Sequence, residues 1–325
     1  MRAIVAERPG GPEVLELKER PLPLPGPGQV RAKVAYSNLN PLDTHARAQR
    51  VAWNAPTFPF TPGYEWCGVV DQVGDSVSKD LIGCRIAAVG EWGGNADYAV
   101  ATAARVTKIP DAFDWQLGAC FQTGAYSAWH LIHTVGRVVR GDHVLLHAAA
   151  GSVSSFAAQI ARDAGAFVYG LCSPSKMDFA RSFGYTQVID RGGDWVARLR
   201  EETGGHGADL IIDGVGGPEA PRNYEAIAPL GQVIYIGATG GPLPPIDVSR
   251  QLFAKTIAVR GFVVYTAMAK TQGSEKPLIH DALATGRWRA PIAGVVDLAE
   301  VPELHARFER RELAGKWLIR VGGDL

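Results

Sequence analysis

Between Asp142 and Gln159 an apolar run, His143-Val144-Leu145-Leu146-His147, ends in the small residues Ala148-Ala149-Ala150-Gly151-Ser152 and passes into Val153-Ser154-Ser155-Phe156-Ala157-Ala158-Gln159. The pattern predicts a buried strand, a tight turn and a helix. The first N–H groups of a helix have no partner within it and lie at the positive end of its dipole, so Ala150, Gly151, Ser152 and Val153 are placed to hold a pyrophosphate. Small side chains let the phosphate approach the backbone. Tight strand-to-helix turns also arise for packing alone, and the turn by itself leaves both readings open.

The next apolar run, Phe167 to Leu171, continues as Cys172-Ser173-Pro174-Ser175-Lys176. A site selective for NAD places an Asp or Glu at this strand end to take the ribose hydroxyls, and none is present. Ser173 and Lys176 instead offer a hydroxyl and a cation, which suit a 2′-phosphate. Taken singly, Ser173 reads as a helix N-cap and Lys176 as a solvated charge. Their joint placement after this strand favours a phosphorylated dinucleotide.

The elements that must position these residues change character along the chain. The first stretch of about 110 residues reads as short strands between Gly and Pro turns, at Arg2 to Glu7, Val14 to Lys18, Val30 to Tyr36, Cys67 to Val73 and Arg85 to Val89. The run Pro21-Leu22-Pro23-Leu24-Pro25-Gly26-Pro27-Gly28 forbids a central strand. From Trp115 onward helices alternate with apolar strands at His143 to Ala148, Phe167 to Leu171, Gln187 to Ile189, Leu210 to Asp213 and Val233 to Ile236. That alternation implies βαβ units and a doubly wound parallel sheet covered by helices. The tail shifts again to a helix over Pro277 to Thr285, a strand over Ile292 to Asp297, a helix over Val301 to Arg310 and a strand over Lys316 to Val321, expected to rejoin the first domain.

At 325 residues the chain exceeds what one hydrophobic core usually organises. Its 33 Lys and Arg balance its 33 Asp and Glu, so no overall field draws nucleic acid or a membrane surface. No uninterrupted apolar stretch is long enough for a membrane span, and the first residues do not read as a signal peptide. Cys67, Cys84, Cys120 and Cys172 lack paired spacing and read as small core residues in a reducing compartment, which places the protein in the cytoplasm.

Several segments together resemble the medium-chain dehydrogenase/reductase superfamily, and within it the zinc-free quinone oxidoreductase and zeta-crystallin branch. They are Tyr36-Ser37-Asn38-Leu39-Asn40-Pro41-Leu42-Asp43, Pro62 to Gly74, the turn from His147 to Gln159, Asp213-Gly214-Val215-Gly216-Gly217, and Gly315-Lys316. The resemblance implies a GroES-like β-rich barrel domain formed by residues 1–120 and 266–325, with a Rossmann domain, 121–265, inserted into it. It also implies NADPH as cofactor, with Gly214, Gly237, Ala238 and Lys316 joining the turn, Ser173 and Lys176 in binding it. A homodimer formed through the cofactor domain is implied as well.

A catalytic zinc needs three protein ligands and an open position. Ser37 stands where zinc-dependent relatives carry a ligand cysteine and Tyr64 where they carry a histidine beside Glu65; no cluster of four cysteines exists for a structural zinc. His130 and His133 are spaced as a ligand pair could be, but read more simply as a partly exposed helical face. Without a metal, the oxygen that becomes negative during hydride transfer needs hydrogen-bond donors. Asn40 is the first candidate, either donating to that oxygen or pinning the loop after the strand Val30 to Tyr36. Asp43 and Glu65 read as braces of the surrounding loops. Tyr64 serves as proton donor or as an aromatic wall for a flat substrate. The family's Gly-Leu-Thr-Ala reads Gly124-Ala125-Tyr126-Ser127-Ala128 here, so Tyr126 is expected to narrow the substrate pocket. Two family glycines of the phosphate turn are Ser152 and Ser154, which either weaken the site or add hydroxyl contacts.

Three readings follow: hydride transfer from NADPH to a quinone or related conjugated carbonyl, reduction of an activated carbon–carbon double bond by the same step, or non-catalytic binding of NADPH.

Overall fold

The structure, a computed structural model, describes residues 1–51, 55–323 and 325. The chain forms two compact units, one of Met1–Thr123 with Ile292–Leu325, the other of Gly124–Pro291. In the first unit β1 (Arg2–Ala6) and β2 (Leu15–Glu19) pair antiparallel. The proline run separates them from β3 (Gln29–Asn38), which is followed by β4 (Glu65–Val73), β5 (Arg85–Val89), β6 (Tyr98–Thr102) and β7 (Val106–Lys108). Alternation buries Val30, Ala32 and Val34 of β3 in one cluster with Val70, Ile86, Ala101 and Ile319. Gly68 stands opposite Val34 in the pairing of β4 with β3, and a Cβ there would lie 2.1 Å from the Lys33 carbonyl oxygen.

The second unit carries β8 (His143–His147), β9 (Phe167–Cys172), β10 (Gln187–Asp190), β11 (Ala208–Asp213), β12 (Ile227–Tyr235) and β13 (Ala258–Gly261). They form a parallel sheet in the order β10-β9-β8-β11-β12-β13, the doubly wound Rossmann order with its reversal between β8 and β11. Consecutive residues such as Leu145 and Leu146 are both fully buried, as a sheet covered on two faces requires.

The return to the first unit falls at 292, later than the expected 266. Helices Val264–Thr271 and Lys276–Ala284 belong to the second unit, and the chain after them is tied to helix Ser152–Asp163. Gln159 donates to the Arg289 carbonyl at 3.0 Å and accepts from the Arg289 N–H at 2.8 Å, and the Trp288 indole donates to Asp163 at 2.8 Å. Only then come β14 (Ile292–Asp297) and β15 (Lys316–Arg320), which complete the sheet β14-β15-β3-β4-β5-β7, with β6 also paired to β3.

The expectation for His130 and His133 is corrected in part. Residues 130–135 form a π-helical turn, whose larger number of residues per turn points the two rings to different environments. His133 is exposed, whereas His130 is wholly buried, with Nδ1 2.9 Å from Thr134 Oγ1 and Nε2 3.3 Å from Glu275 Oε1.

In the first unit, helix Pro41–Arg47 is held by the buried guanidinium of Arg47. It donates to the Gly10 carbonyl at 3.0 Å, to Nδ1 of buried His305 at 3.1 Å, and to Glu309. Because Arg47 can only donate, His305 is neutral with its proton on Nε2. Burial, and then Arg47, push His305 down to about 3. A folded-state value below the ordinary 6.5 means that stability is complete above pH 6.5 and is lost as pH falls from there toward 3. The stability of wild type is therefore expected to fall between pH 6.5 and 4 with a slope from this residue of up to about 1.4 kcal/mol per pH unit. His305→Asn, which keeps an acceptor for Arg47 and cannot titrate, is expected to flatten that slope in denaturant unfolding; parallel profiles would show that His305 does not set it.

Candidate active site

Antiparallel pairing of β15 with β3 sets Leu318 opposite Asn38 and Ile319 opposite Ser37. The same register carries Lys316 to Asn40, beside the 3.1 Å bond from the Leu39 N–H to the Trp317 carbonyl. Lys316 is buried, and its Nζ donates to Asn40 Oδ1 at 2.6 Å and lies 3.3 Å from Glu65 Oε2. Asn40 Nδ2 donates to Asn38 Oδ1 at 2.8 Å, while Asn38 Nδ2 donates to Glu65 Oε2 at 3.0 Å and to the Ala119 carbonyl. Glu65 Oε1 accepts from the Thr123 N–H at 2.9 Å. Since an ammonium only donates, Lys316 fixes which end of the Asn40 amide is oxygen. One amide hydrogen of Asn40 is used on Asn38, and among the described residues the other has no hydrogen-bond acceptor.

Asp43 accepts from the backbone N–H groups of Asn40 (2.9 Å), Gly63 (2.8 Å) and Tyr64 (3.0 Å), which tie the two motif segments together. Burial pushes its carboxyl up to about 6, against those donors and Lys316. Tyr64 is buried with its ring centroid 5.0 Å from that of Trp92. Ser37 Oγ donates to buried Asn95 Oδ1 at 2.6 Å. Among the described residues, no group of three or more His, Cys, Asp and Glu side chains comes together as a metal site would need.

In the second unit the ends of β8, β9, β11 and β12 carry the remaining residues. After β8, Ala148 takes the left-handed region at φ 49°, unusual for a residue with a Cβ. Gly151 then opens helix Ser152–Asp163 without any side-chain cap. Ser154 Oγ donates to the His147 carbonyl at 2.7 Å and Ser155 Oγ to the Ala149 carbonyl at 3.3 Å, so these hydroxyls hold the turn itself. Ser152 Oγ is different: it is buried and has no partner. Ala150 and Val153 flank it in the same turn. Gly124 packs over this helix start, since a Cβ on it would lie 2.6 Å from Ser152 Oγ and 2.8 Å from the Phe156 ring.

Ser173 begins the short turn Pro174–Lys176 at the end of β9, yet its hydroxyl makes no capping bond. Lys176 is half-buried nearby. Arg191, exposed at the end of β10, donates its N–H to the Cys172 carbonyl at 3.0 Å, which brings a further cation to this strand end. Burial pushes the Cys172 thiol up to about 11, while Lys176, Arg181 and Arg191 act in the opposite direction. Gly214 follows β11 and Gly237 and Ala238 follow β12; a Cβ on Gly237 would lie 3.2 Å from the Gly214 carbonyl oxygen. Asp213 Oδ1 holds that turn by accepting from Val215 and Gly216 N–H groups at 2.7 and 3.0 Å.

The structure thus gathers Ala150, Gly151, Ser152, Val153, Ser173, Lys176, Gly214, Gly237 and Ala238 at the C-terminal ends of neighbouring parallel strands. It places Lys316 with Asn40 and Glu65 in the first unit. Tyr126 is buried in the second unit, its hydroxyl 2.8 Å from His280 Nε2 and its ring 6.0 Å from Lys276 Nζ. Sequence reasoning passed over Arg191 and Asn38. The first was findable by carrying the strand-end reading one strand further; the second gains its meaning only from the pairing of β3 with β15.

Comparison with known proteins gives concordant matches. Residues 26–111 match the alcohol dehydrogenase GroES-like domain, and residues 152–279 match the family described as zinc-binding dehydrogenase. A quinone oxidoreductase from Pseudomonas aeruginosa is 31% identical over 242 residues, covering 74% of each chain. A 2-haloacrylate reductase from a Burkholderia species is 29% identical over 334 residues, covering 98% of each chain. A mycobacterial protein solved in complex with NADPH is 27% identical and superposes with a TM-score of 0.90 over 98% of this chain and all of its own.

Proposed function

From the premise that this chain belongs to the medium-chain dehydrogenase/reductase superfamily, in its quinone oxidoreductase branch, we propose that it transfers a hydride from NADPH to a quinone or related conjugated carbonyl without zinc. The observation that carries the reading is the Asn40 amide. It is buried and uncharged, with Lys316 on its oxygen and Asn38 taking one of its two hydrogens, and a serine and a tyrosine stand at positions 37 and 64, where zinc-dependent members of the family carry metal ligands.

NADPH is the cofactor, and when bound it supplies the hydride. The turn fits such a group: the uncapped helix start offers the Ser152 and Val153 N–H groups, the residues around it are small, and the partnerless Ser152 Oγ adds a buried donor. Ser152 therefore supplies the added hydroxyl contact, whereas Ser154 is occupied by His147. Ser173 and Lys176 take the 2′-phosphate, with Arg191 as a third contributor. The residues do not fit zinc, whose ligand positions hold Ser37, bonded to Asn95, and buried Tyr64. As the acceptor oxygen gains negative charge, Asn40 donates to it, which lowers a barrier that an unstabilised oxyanion would raise by several kcal/mol. Tyr64, its ring tilted by 57° against that of Trp92, bounds the acceptor's flat face.

The likeness to a 2-haloacrylate reductase favours a second reading, in which the hydride goes to a double bond conjugated with a carboxyl group. The protein also works as a homodimer in the cytoplasm on this proposal. Supporting it, β13 is an edge strand with exposed Val263 and Tyr265 just beyond it, the four cysteines are free, and no helix among the described residues is long and apolar enough to cross a membrane.

Four measurements test the reading. Elemental analysis of the purified protein is expected to find no stoichiometric zinc, and about one tightly held zinc per chain would overturn that part. Asn40→Ala is expected to lower turnover with a quinone by roughly ten- to a thousandfold with NADPH affinity nearly unchanged, and unchanged turnover would remove Asn40 from the mechanism. A panel of quinones and enones run alongside separates the two substrate readings, and no NADPH consumption with any member would leave binding alone. Lys176→Ala is expected to weaken NADPH about ten- to a hundredfold and leave NADH unaffected. Equal weakening of both, or a wild type that already prefers NADH, would refute the phosphate assignment.

A further inference from the structure

Lys316 presents an unexplained arrangement. Lys316 is buried, and its two partners are internal, Asn40 Oδ1 at 2.6 Å and Glu65 Oε2 at 3.3 Å. Its charge is balanced by Glu65, and Glu65 is in turn fixed by Asn38 and by the Thr123 N–H. The chain spends a buried ion pair to set the rotation of one neutral amide. An asparagine amide has two ends of nearly the same shape and opposite hydrogen-bonding sense, so an unconstrained Asn40 would present oxygen as readily as nitrogen. Lys316 on the oxygen and Asn38 on one N–H together allow a single orientation, leaving the second N–H as the donor.

We propose that Lys316 is a positioning residue for the reaction: with Glu65 and Asn38 it locks the Asn40 amide with its donor end toward the acceptor oxygen, and it is not a cofactor ligand. The proposal rests on the reading that Asn40 donates to that oxygen. Nitrogen presented in place of oxygen turns a repulsive contact with the developing negative charge into an attractive one. The lock also strengthens the donor, because a cation on the amide oxygen draws electron density from the nitrogen.

A double-mutant cycle tests this, with Asn40→Ala, Lys316→Met and both together, each measured for quinone turnover, NADPH affinity by fluorescence titration, and thermal midpoint. Lys316→Met is expected to lower kcat by roughly tenfold or more with NADPH affinity within about twofold of wild type, and to add nothing further in the Asn40→Ala background. Lys316→Met leaves Glu65 without its counter-ion, so a lower thermal midpoint is expected in either case; a residue that only supports the fold would also slow the enzyme further on top of Asn40→Ala, and that result overturns the proposal. So does a loss of NADPH affinity at unchanged kcat, which would make Lys316 a cofactor ligand. If Asn40→Ala turns over normally, the donor reading itself fails and this proposal with it; if Asn40→Ala is slow and Lys316→Met is normal, only the proposal fails. Should Lys316→Met not fold, Asn38→Ala keeps both charges of the Lys316–Glu65 pair while removing one neutral donor from Glu65 Oε2, and it frees the other end of the amide. It is expected to show the same fall in kcat without loss of NADPH affinity, and a normal kcat overturns the lock.

Discussion

The ion pair between Lys316 and Glu65 is the constraint on which the first unit is built. Neither charge is tolerable alone in the interior, where an isolated ion costs far more than a lost hydrogen bond. Each must therefore be delivered to the other by the fold. Glu65 arrives at the start of β4, and Lys316 arrives at the start of β15, some 250 residues later in sequence. The C-terminal return of the chain to the first unit is thus tied to chemistry: without β15 beside β3, Glu65 keeps only neutral donors and Asn40 loses the partner on its oxygen.

The second unit solves a different problem with backbone. Its parallel strands stop at one end of the sheet, where each is followed by a turn whose residues are small or glycine. Side chains near these turns mostly serve the turns themselves, as Ser154 does for His147 and Asp213 for Val215 and Gly216. What is left over is informative. Ser152 Oγ is without a partner, and the Ser173 hydroxyl stands at a helix start without capping it. Polar groups are rarely left so unless something else satisfies them.

Much of this was legible in the sequence, for reasons that differ by element. The strands of the second unit are continuous apolar runs because both their faces are covered, and continuous runs are visible without any partner. The family motifs located Asn40, Ser173 and the Ser152 turn for the same reason: each is local. Lys316 was visible as a residue but not as a role, because its meaning depends on a register between segments at opposite ends of the chain. β13 was missed since Ala258-Val259-Arg260-Gly261 is too short and too interrupted to stand out. The second domain boundary was placed too early because helices 264–271 and 276–284 are amphipathic without saying which core they serve; the bonds of Gln159 and Asp163 to residues 288 and 289 decide it. His130 looked exposed because the wider π-helical turn that buries it leaves no mark on hydrophobic periodicity.

The two units also handle positive charge in opposite ways, and the contrast separates positioning from binding. Lys176 and Arg191 stand half-buried and exposed at strand ends. Lys316 is buried and held by Asn40 and Glu65. For it to leave Asn40 and Glu65 for a ligand, a buried carboxylate would have to be stripped of its counter-ion, at a cost of several kcal/mol before any contact with the ligand is made. A cation so held serves best by staying where it is, and on the proposal made above its influence on the reaction passes through Asn40. Asn40 is neutral, unable to titrate, and held at both ends of its amide, by Lys316 on the oxygen and by Asn38 on one hydrogen.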